Sequence, residues 1–221
     1  MITENNEDEI PMTESKKYAI GVDLGGTSIK VGLVDESGEI VSKTSVDTKA
    51  NEGPDVVIEQ MKRGINTLLK MNDNLIIEGI GIGAPGVVKA KTGVVENPPN
   101  LPGWGTVQLG SIIKRAFRMS VFVENDANAA AIGELIFGAG KKLDSFIMIT
   151  LGTGVGGGIV INRRIYRGDT GAAGEIGHVA IDHNGRKCNC GSTGCVEAYL
   201  GNGYLVDHVV RELPKYPDSK I

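Results

Sequence analysis

The chain has 221 residues, 41% of them hydrophobic and 23% charged, so it can bury a core and carries the charge share of an ordinary globular protein. The net charge is -4, and residues 1–17 hold -3 of it, through Glu4, Glu7, Asp8, Glu9 and Glu14 against Lys16 and Lys17. The remainder is near neutral, which excludes a basic nucleic-acid surface as the main feature; no apolar run approaches the ~20 residues of a membrane helix, and the acidic N-terminus lacks the apolar stretch of a secretion signal.

Residues 1–17 read as a disordered acidic tail. Strand-like stretches follow at 18–24, 29–35 and 39–46, separated by Gly25-Gly26-Thr27 and by Glu36-Ser37-Gly38. Turns this short predict an antiparallel three-strand meander. Over 53–71 the residues Val56, Val57, Met61, Ile65, Leu68 and Leu69 recur at helical spacing and predict an amphipathic helix. A buried strand is expected at 75–83, a turn at Ala84-Pro85-Gly86, and a hairpin over 87–96 around Lys91-Thr92-Gly93. A Pro/Gly-rich loop spans 97–105, with helices at 107–118 and 126–137 on either side of a strand at 121–124. A strand at 145–151 runs into a glycine loop, and extended structure resumes at 158–162. Residues 168–194 are loop-rich, and a last helix over 196–213 is weakened by Gly201 and Gly203. This order is mixed α/β without plain strand–helix alternation. The two glycine turns, near 25 and near 152, each lie between strands and hint at two related lobes.

Glycine is the compositional outlier, at 32 residues, about twice the ~7% background. Clustered glycines mark loops that a ligand approaches closely. Asp23-Leu24-Gly25-Gly26-Thr27 fits an ordinary hairpin turn with Asp as turn former, or a nest of backbone N–H groups for phosphate, with Asp23 orienting Mg²⁺ through water. Gly152, Gly154 and Gly157 match the dinucleotide pattern G-x-G-x-x-G, as do Gly81, Gly83 and Gly86. Neither opens a helix, so a Rossmann site is rejected. A second β-turn-β phosphate nest facing the first is the better reading. In Glu124-Asn125-Asp126-Ala127-Asn128, Asn125 or Asp126 serves as a helix N-cap, or Asp126 projects into a cleft to accept a hydroxyl proton.

Three cysteines within eight residues (Cys188, Cys190, Cys195) make a poor disulfide framework and fit a reducing, cytoplasmic setting. With His178 they complete the Cys₃His set of a structural zinc site, and Gly185, Gly191 and Gly194 let the chain fold back around the ion. Glu175 and Glu197 flank this loop, either as solvated acids or as acceptors for a polyhydroxy ligand. His183 and His208 read as solvated, and Trp104, the single Trp, as packing.

Together these motifs, with Gly83-Ala84-Pro85-Gly86 and Asn100-Leu101-Pro102-Gly103-Trp104, resemble the ROK family of sugar kinases within the hexokinase/actin-like superfamily, above all its bacterial ATP-dependent glucokinases. The resemblance spans about 18–204. It implies a two-lobed actin/hexokinase-like (ribonuclease H-like) α/β fold, with an N-terminal lobe at 18–122 and part of a C-terminal lobe at 123–221 carrying the zinc loop. Family members run on past the position of Ile221 with an adenosine-binding segment and closing helices, so a C-terminally truncated member with an incomplete second lobe is expected. Asp23, Gly25, Gly26, Thr27, Gly152, Thr153 and Gly154 would hold ATP phosphates and Mg²⁺. Asp126 would be the catalytic base, and Gly86, Asn100, Asn125, Glu175, His178 and Glu197 would contact the sugar. His178 would also ligate Zn²⁺ with the cysteines, coupling metal to sugar. The implied reaction moves the ATP γ-phosphate to the 6-hydroxyl of a hexose, most simply glucose. The alternatives are a kinase for an N-acetylated hexosamine, mannose or fructose, or a non-catalytic sugar-binding member. Seventeen residues before the first strand are too few for the DNA-binding domain of the family's repressors. The cysteine cluster favours ATP over polyphosphate as donor. A cytoplasmic homodimer is implied, with no nucleic acid or membrane as partner.

Overall fold

The computed structural model describes residues 16–220. The expected tail therefore lies outside the described residues except for Lys16 and Lys17, and Lys17 already opens the first strand. β1 (Lys17–Leu24) pairs antiparallel with β2 (Ser28–Asp35), and β2 with β3 (Ile40–Asp47), as the short turns predict. On its other side β1 pairs parallel with β4 (Ile76–Ala84), and β4 with β8 (Ser120–Asn125), giving the order β3-β2-β1-β4-β8. A parallel neighbour requires a long crossover. Helix α1 (Pro54–Met71) supplies it, and Pro54 at its first turn suits a position with no partner for an N–H.

Alternate residues of the sheet turn inward. Ile20, Val22 and Leu24 join Ile29, Val31, Leu33, Ile80 and Ile82 beneath Val57, Met61, Ile65 and Leu68 of α1, all of them buried. Gly64 lies on this stripe of α1, where a Cβ would come within 3.0 Å of Val31. The helix accepts the lower propensity of glycine in order to lie close on the sheet. Helix α2 (Leu109–Phe117) closes the same core with Leu109 and Ile113.

β5 (Val87–Lys89), β6 (Val94–Glu96) and β7 (Thr106–Val107) form a small sheet over the end of β4 and β8. Val107, expected in a helix, is instead a strand residue opposite Val95. Trp104 is buried in the main core, so it packs as expected.

Helix α3 (Asp126–Ile136) follows β8 without a linker and packs against both the large sheet and a third sheet, of order β11-β10-β9. That sheet comprises β9 (Phe146–Leu151), β10 (Val155–Ile161) and β11 (Arg164–Ile165). Two sequence expectations are corrected here. The glycine loop is shorter than expected: the turn is only Gly152-Thr153-Gly154, and Gly156 and Gly157 already belong to β10 with Gly158, where extended structure is expected to resume. Their lack of a side chain is a packing requirement, because a Cβ on Gly158 would lie 2.5 Å from Cβ of Ala131 in α3 and one on Gly156 would lie 3.1 Å from Cβ of Ala127. The last helix is two helices, α4 (Glu197–Leu200) and α5 (Asn202–Glu212), broken at Gly201, whose ψ of 139° is extended. The break is held from outside the helix, since the Asn202 N–H donates to the Gly152 carbonyl at 3.0 Å.

Candidate active site

The site begins at the β8–α3 junction. Asn125 takes the N-cap: its Oδ1 accepts from the Asn128 amide at 3.1 Å, while its Nδ2 donates to the Gly86 carbonyl at 3.1 Å. Asp126 is thereby the first helical residue, with Oδ1 accepting from the Ala127 amide at 2.8 Å. The carboxyl stays accessible on its open side. The protein around it withdraws enough water to push its pKa above the usual aspartate value; the Ala127 amide works against this shift, and the nearby Asp23 charge adds to it.

Asp126 lines a cleft of about 360 Å³, together with both glycine turns. On one wall are Gly25 and Gly26 after β1, Gly86 after β4, and Asn100. Gly86 adopts φ +78°, and a Cβ there would stand 2.9 Å from Cα of Pro98. Gly26 is constrained by contact alone, since its Cβ would meet Cβ of Asn100 at 3.0 Å. These two glycines let the 97–105 loop lie directly on the first turn. On the opposite wall are Gly152, Thr153 and Gly154, with Glu175, His178 and Glu197. Glu197 accepts from the Val155 amide at 2.9 Å, and its carboxylate fills the space where a side chain on Gly154 would go. Within each turn the first glycine amide is already bonded, Gly25 to Ser28 O at 3.2 Å and Gly152 to Gly154 O at 3.0 Å. The amides of Gly26, Thr153 and Gly154 are therefore the candidate anion donors.

Two of the predicted residues stand apart. Asp23 and Thr27 are exposed and do not line this cleft. Asp23 instead pairs with Lys30 at 3.4 Å, across the β1–β2 ladder.

His178, Cys188, Cys190 and Cys195 converge, with one ligand atom from each lying within 4.8 Å of the others. The Cys190 and Cys195 sulfurs are 3.7 Å apart, and Nδ1 of His178 is 3.8 Å from Sγ of Cys188. A tetrahedral zinc with Zn–S of ~2.3 Å and Zn–N of ~2.0 Å has edges of about 3.8 and 3.5 Å, so the four donors fit that ion. Burial pushes the Cys188 thiol up to about 11, so a thiolate there calls for a cation beside it, whereas the Ser192 amide draws Cys190 down. The other ring nitrogen of His178, Nε2, lies 3.8 Å from a Glu175 oxygen, toward the cleft. The hydroxyl of Tyr204 accepts from the Asn189 amide at 2.7 Å and ties this loop to α5.

Sequence reasoning missed two supports of the site. Thr48 is fully buried, and its hydroxyl donates to the Gly25 carbonyl at 2.6 Å. Arg167 donates through Nε, at 2.8 Å, and through Nη2 to one oxygen of Glu124, the residue before Asn125. Nothing in the local pattern around Thr48 or Arg167 signals either bond.

The ROK family pattern matches residues 19–221. A glucokinase of Thermotoga maritima is 44% identical over 207 residues, 93% of this chain and 64% of that protein. A xylose repressor of Bacillus subtilis is 38% identical over 192 residues, 86% of this chain and 49% of that protein. The crystal structure of a ROK family glucokinase from Streptomyces griseus, in complex with glucose and AMPPNP, superposes with a TM-score of 0.80 at 39% identity, covering 91% of this chain and 62% of that one. The chain thus spans less than two thirds of the length of these relatives, and its mixed α/β architecture is the ROK/actin-like one. With nearly its whole length matched by one family pattern and by these relatives in sequence and fold, this chain belongs to the ROK family.

Proposed function

We propose that this chain forms the hexose- and phosphate-binding part of an ATP-dependent sugar kinase, acting on the 6-hydroxyl of a hexose, with glucose favoured. One observation carries the reading: Asp126 and two glycine turns far apart in sequence line a single cleft. In this reading residues 18–122 and 123–221 contribute to two lobes that face each other across it. Asn100, Asn125, Glu175, His178 and Glu197, with the Gly86 backbone, hold the sugar hydroxyls. The Asp126 carboxylate accepts the proton of the 6-hydroxyl as that oxygen attacks the γ-phosphorus in line. Its raised pKa makes it a stronger base. Phosphoryl transfer depends mostly on positioning and charge stabilisation, and the amides of Gly26, Thr153 and Gly154 supply fixed dipoles for the phosphate oxygens. Mg²⁺ would neutralise phosphate charge, and Asp23 is the carboxylate available to orient it once released from Lys30. Zinc held by His178, Cys188, Cys190 and Cys195 would cross-link the 178–195 loop and fix His178 toward the sugar. A homodimer in the cytoplasm accompanies this reading.

The likeness to xylose repressors favours a second reading, in which the cleft binds sugar without phosphoryl transfer. The two separate in one experiment. The chain is mixed with Mg-ATP and a panel of glucose, mannose, fructose, N-acetylated hexosamines and xylose, with sugar binding measured by calorimetry and ADP by a coupled assay. Glucose-dependent ADP release supports the kinase. Sugar binding without ADP release supports the regulator.

A further inference from the structure

The charge pair behind the catalytic junction is built unlike the other ion pairs of the described residues. Lys17–Glu78, Lys30–Asp23, Lys49–Glu52 and Lys215–Glu212 are exposed on both sides, and Lys62–Glu59 and Lys89–Glu96 are half-buried at one partner only, at 26% and 28%, whereas the Glu124 side chain retains only 13% of its accessibility. One Glu124 oxygen receives both Nε and Nη2 of Arg167. The other, Oε1, accepts from the Asn125 amide at 3.1 Å and from Nδ2 of Asn128 at 3.4 Å. Asn125 and Asn128 are bonded to each other through the α3 cap, so Glu124 braces the first turn of the helix that begins at Asp126. Arg167 comes from the opposite direction, two residues after β11, at the start of the segment that leads to Glu175 and His178. Its carbonyl accepts from the Ala173 amide at 3.1 Å, and Gly174 then sits hard against Gly157 of β10.

We propose that Arg167 and Glu124 are positioning residues, a charged strut that sets the orientation of Asn125 and Asp126 and locks it to the loop carrying Glu175 and His178. The inference deepens the sugar-kinase reading and rests on it for the identity of the ligand. A largely buried carboxylate that loses its cation must re-solvate or move, and moving Glu124 releases the Asn125 amide and the Asn128 side chain together.

The test uses the 221-residue chain with Arg167→Gln, Arg167→Lys, Glu124→Gln and the Glu124→Gln/Arg167→Gln double variant. Amide hydrogen exchange is read residue by residue, and glucose affinity by calorimetry. Arg167→Gln should speed exchange at Ala127 and Asn128 about tenfold while α1 stays within about twofold, and should weaken glucose binding about tenfold. Arg167→Lys, which restores charge and one donor, should recover part of both effects. The double variant should be no worse than the poorer single one, because each removes the same strut. Unchanged exchange at Ala127 and Asn128 in Arg167→Gln would overturn the proposal. So would faster exchange spread evenly over the chain, which marks plain destabilisation. If the unmodified chain binds no hexose, the kinase reading fails on that result, and the exchange measurement alone decides the strut.

Discussion

Gly158 tests how the site is supported, because it lies where β10 meets the helix that carries Asp126. An alanine there would place Cβ 2.5 Å from Cβ of Ala131 and 3.0 Å from the Ala127 carbonyl oxygen. Carbon atoms in contact prefer about 3.5–4.0 Å, so the overlap is about 1–1.5 Å. Neither neighbour can rotate away, since one is a Cβ fixed to helical backbone and the other is backbone itself. Helix α3 must shift, and overpacking of this kind costs ~1–3 kcal/mol. For a chain of this size each kcal/mol moves Tm by ~2–4 °C, so Gly158→Ala should lower it by about 2–12 °C. Gly133, on the same helix, is the control. A Cβ there meets nothing within 4 Å, and Gly133→Ala should instead gain ~0.5–1 kcal/mol from helix propensity. Thermal and urea unfolding read both, the latter as a change of midpoint at constant slope. If Gly158→Ala proved neutral, or as stabilising as Gly133→Ala, the packing of β10 beneath α3 would be refuted.

For Asp126, desolvation leaves the folded state holding the proton more tightly than the unfolded chain. Ionisation therefore removes stability as pH rises from the ordinary value of 3.8 through the raised one. Asp126→Asn should unfold at higher temperature than the unmodified chain at pH 7, the difference closing below pH 3.8, and a gap that did not change with pH would refute the burial argument. In any form that turns over, the same change should cut kcat by ~10²–10⁴ while hexose affinity stays within a few-fold. For the metal, X-ray absorption of zinc-loaded chain should show three sulfurs at ~2.3 Å and one nitrogen at ~2.0–2.1 Å. Cys190→Ala should lose zinc and hexose affinity together; loss of the metal with unaltered hexose binding would break the link through His178.

Much of this architecture was legible residue by residue. Strand alternation in 18–46, the helical spacing of Val57, Met61, Ile65 and Leu68, and the cluster of Cys188, Cys190 and Cys195 are short-range patterns. Each reports what its own backbone prefers or which atoms a nearby ion would meet. The cap at α3 was half legible: both Asn125 and Asp126 suit that position, and in the structure Asn125 takes it, its Oδ1 on the Asn128 amide and its Nδ2 on the Gly86 carbonyl 39 residues away. Gly156 and Gly157 look like a loop by composition, because glycine weakens any strand in isolation. They pair with β9 as a strand, and neighbours leave no room for side chains: α3 lies over Gly156, and Gly174 and Ile176 lie against Gly157 on the other face.

The amino-acid sequence by itself determined most of the elements, the grouping of His178 with three cysteines and the residue types able to hold phosphate or accept a proton. Tertiary structure alone decided which of them share a cleft, placing Asp126 between the turns at 25–26 and 152–154 and leaving Asp23 beside Lys30. It also made the bond between Arg167 and Glu124, 43 residues apart. The reason is physical: local preference acts over a few residues, whereas these meetings are fixed by α3 being packed between two sheets, burying Ala131 and Leu135 with Val160 of β10.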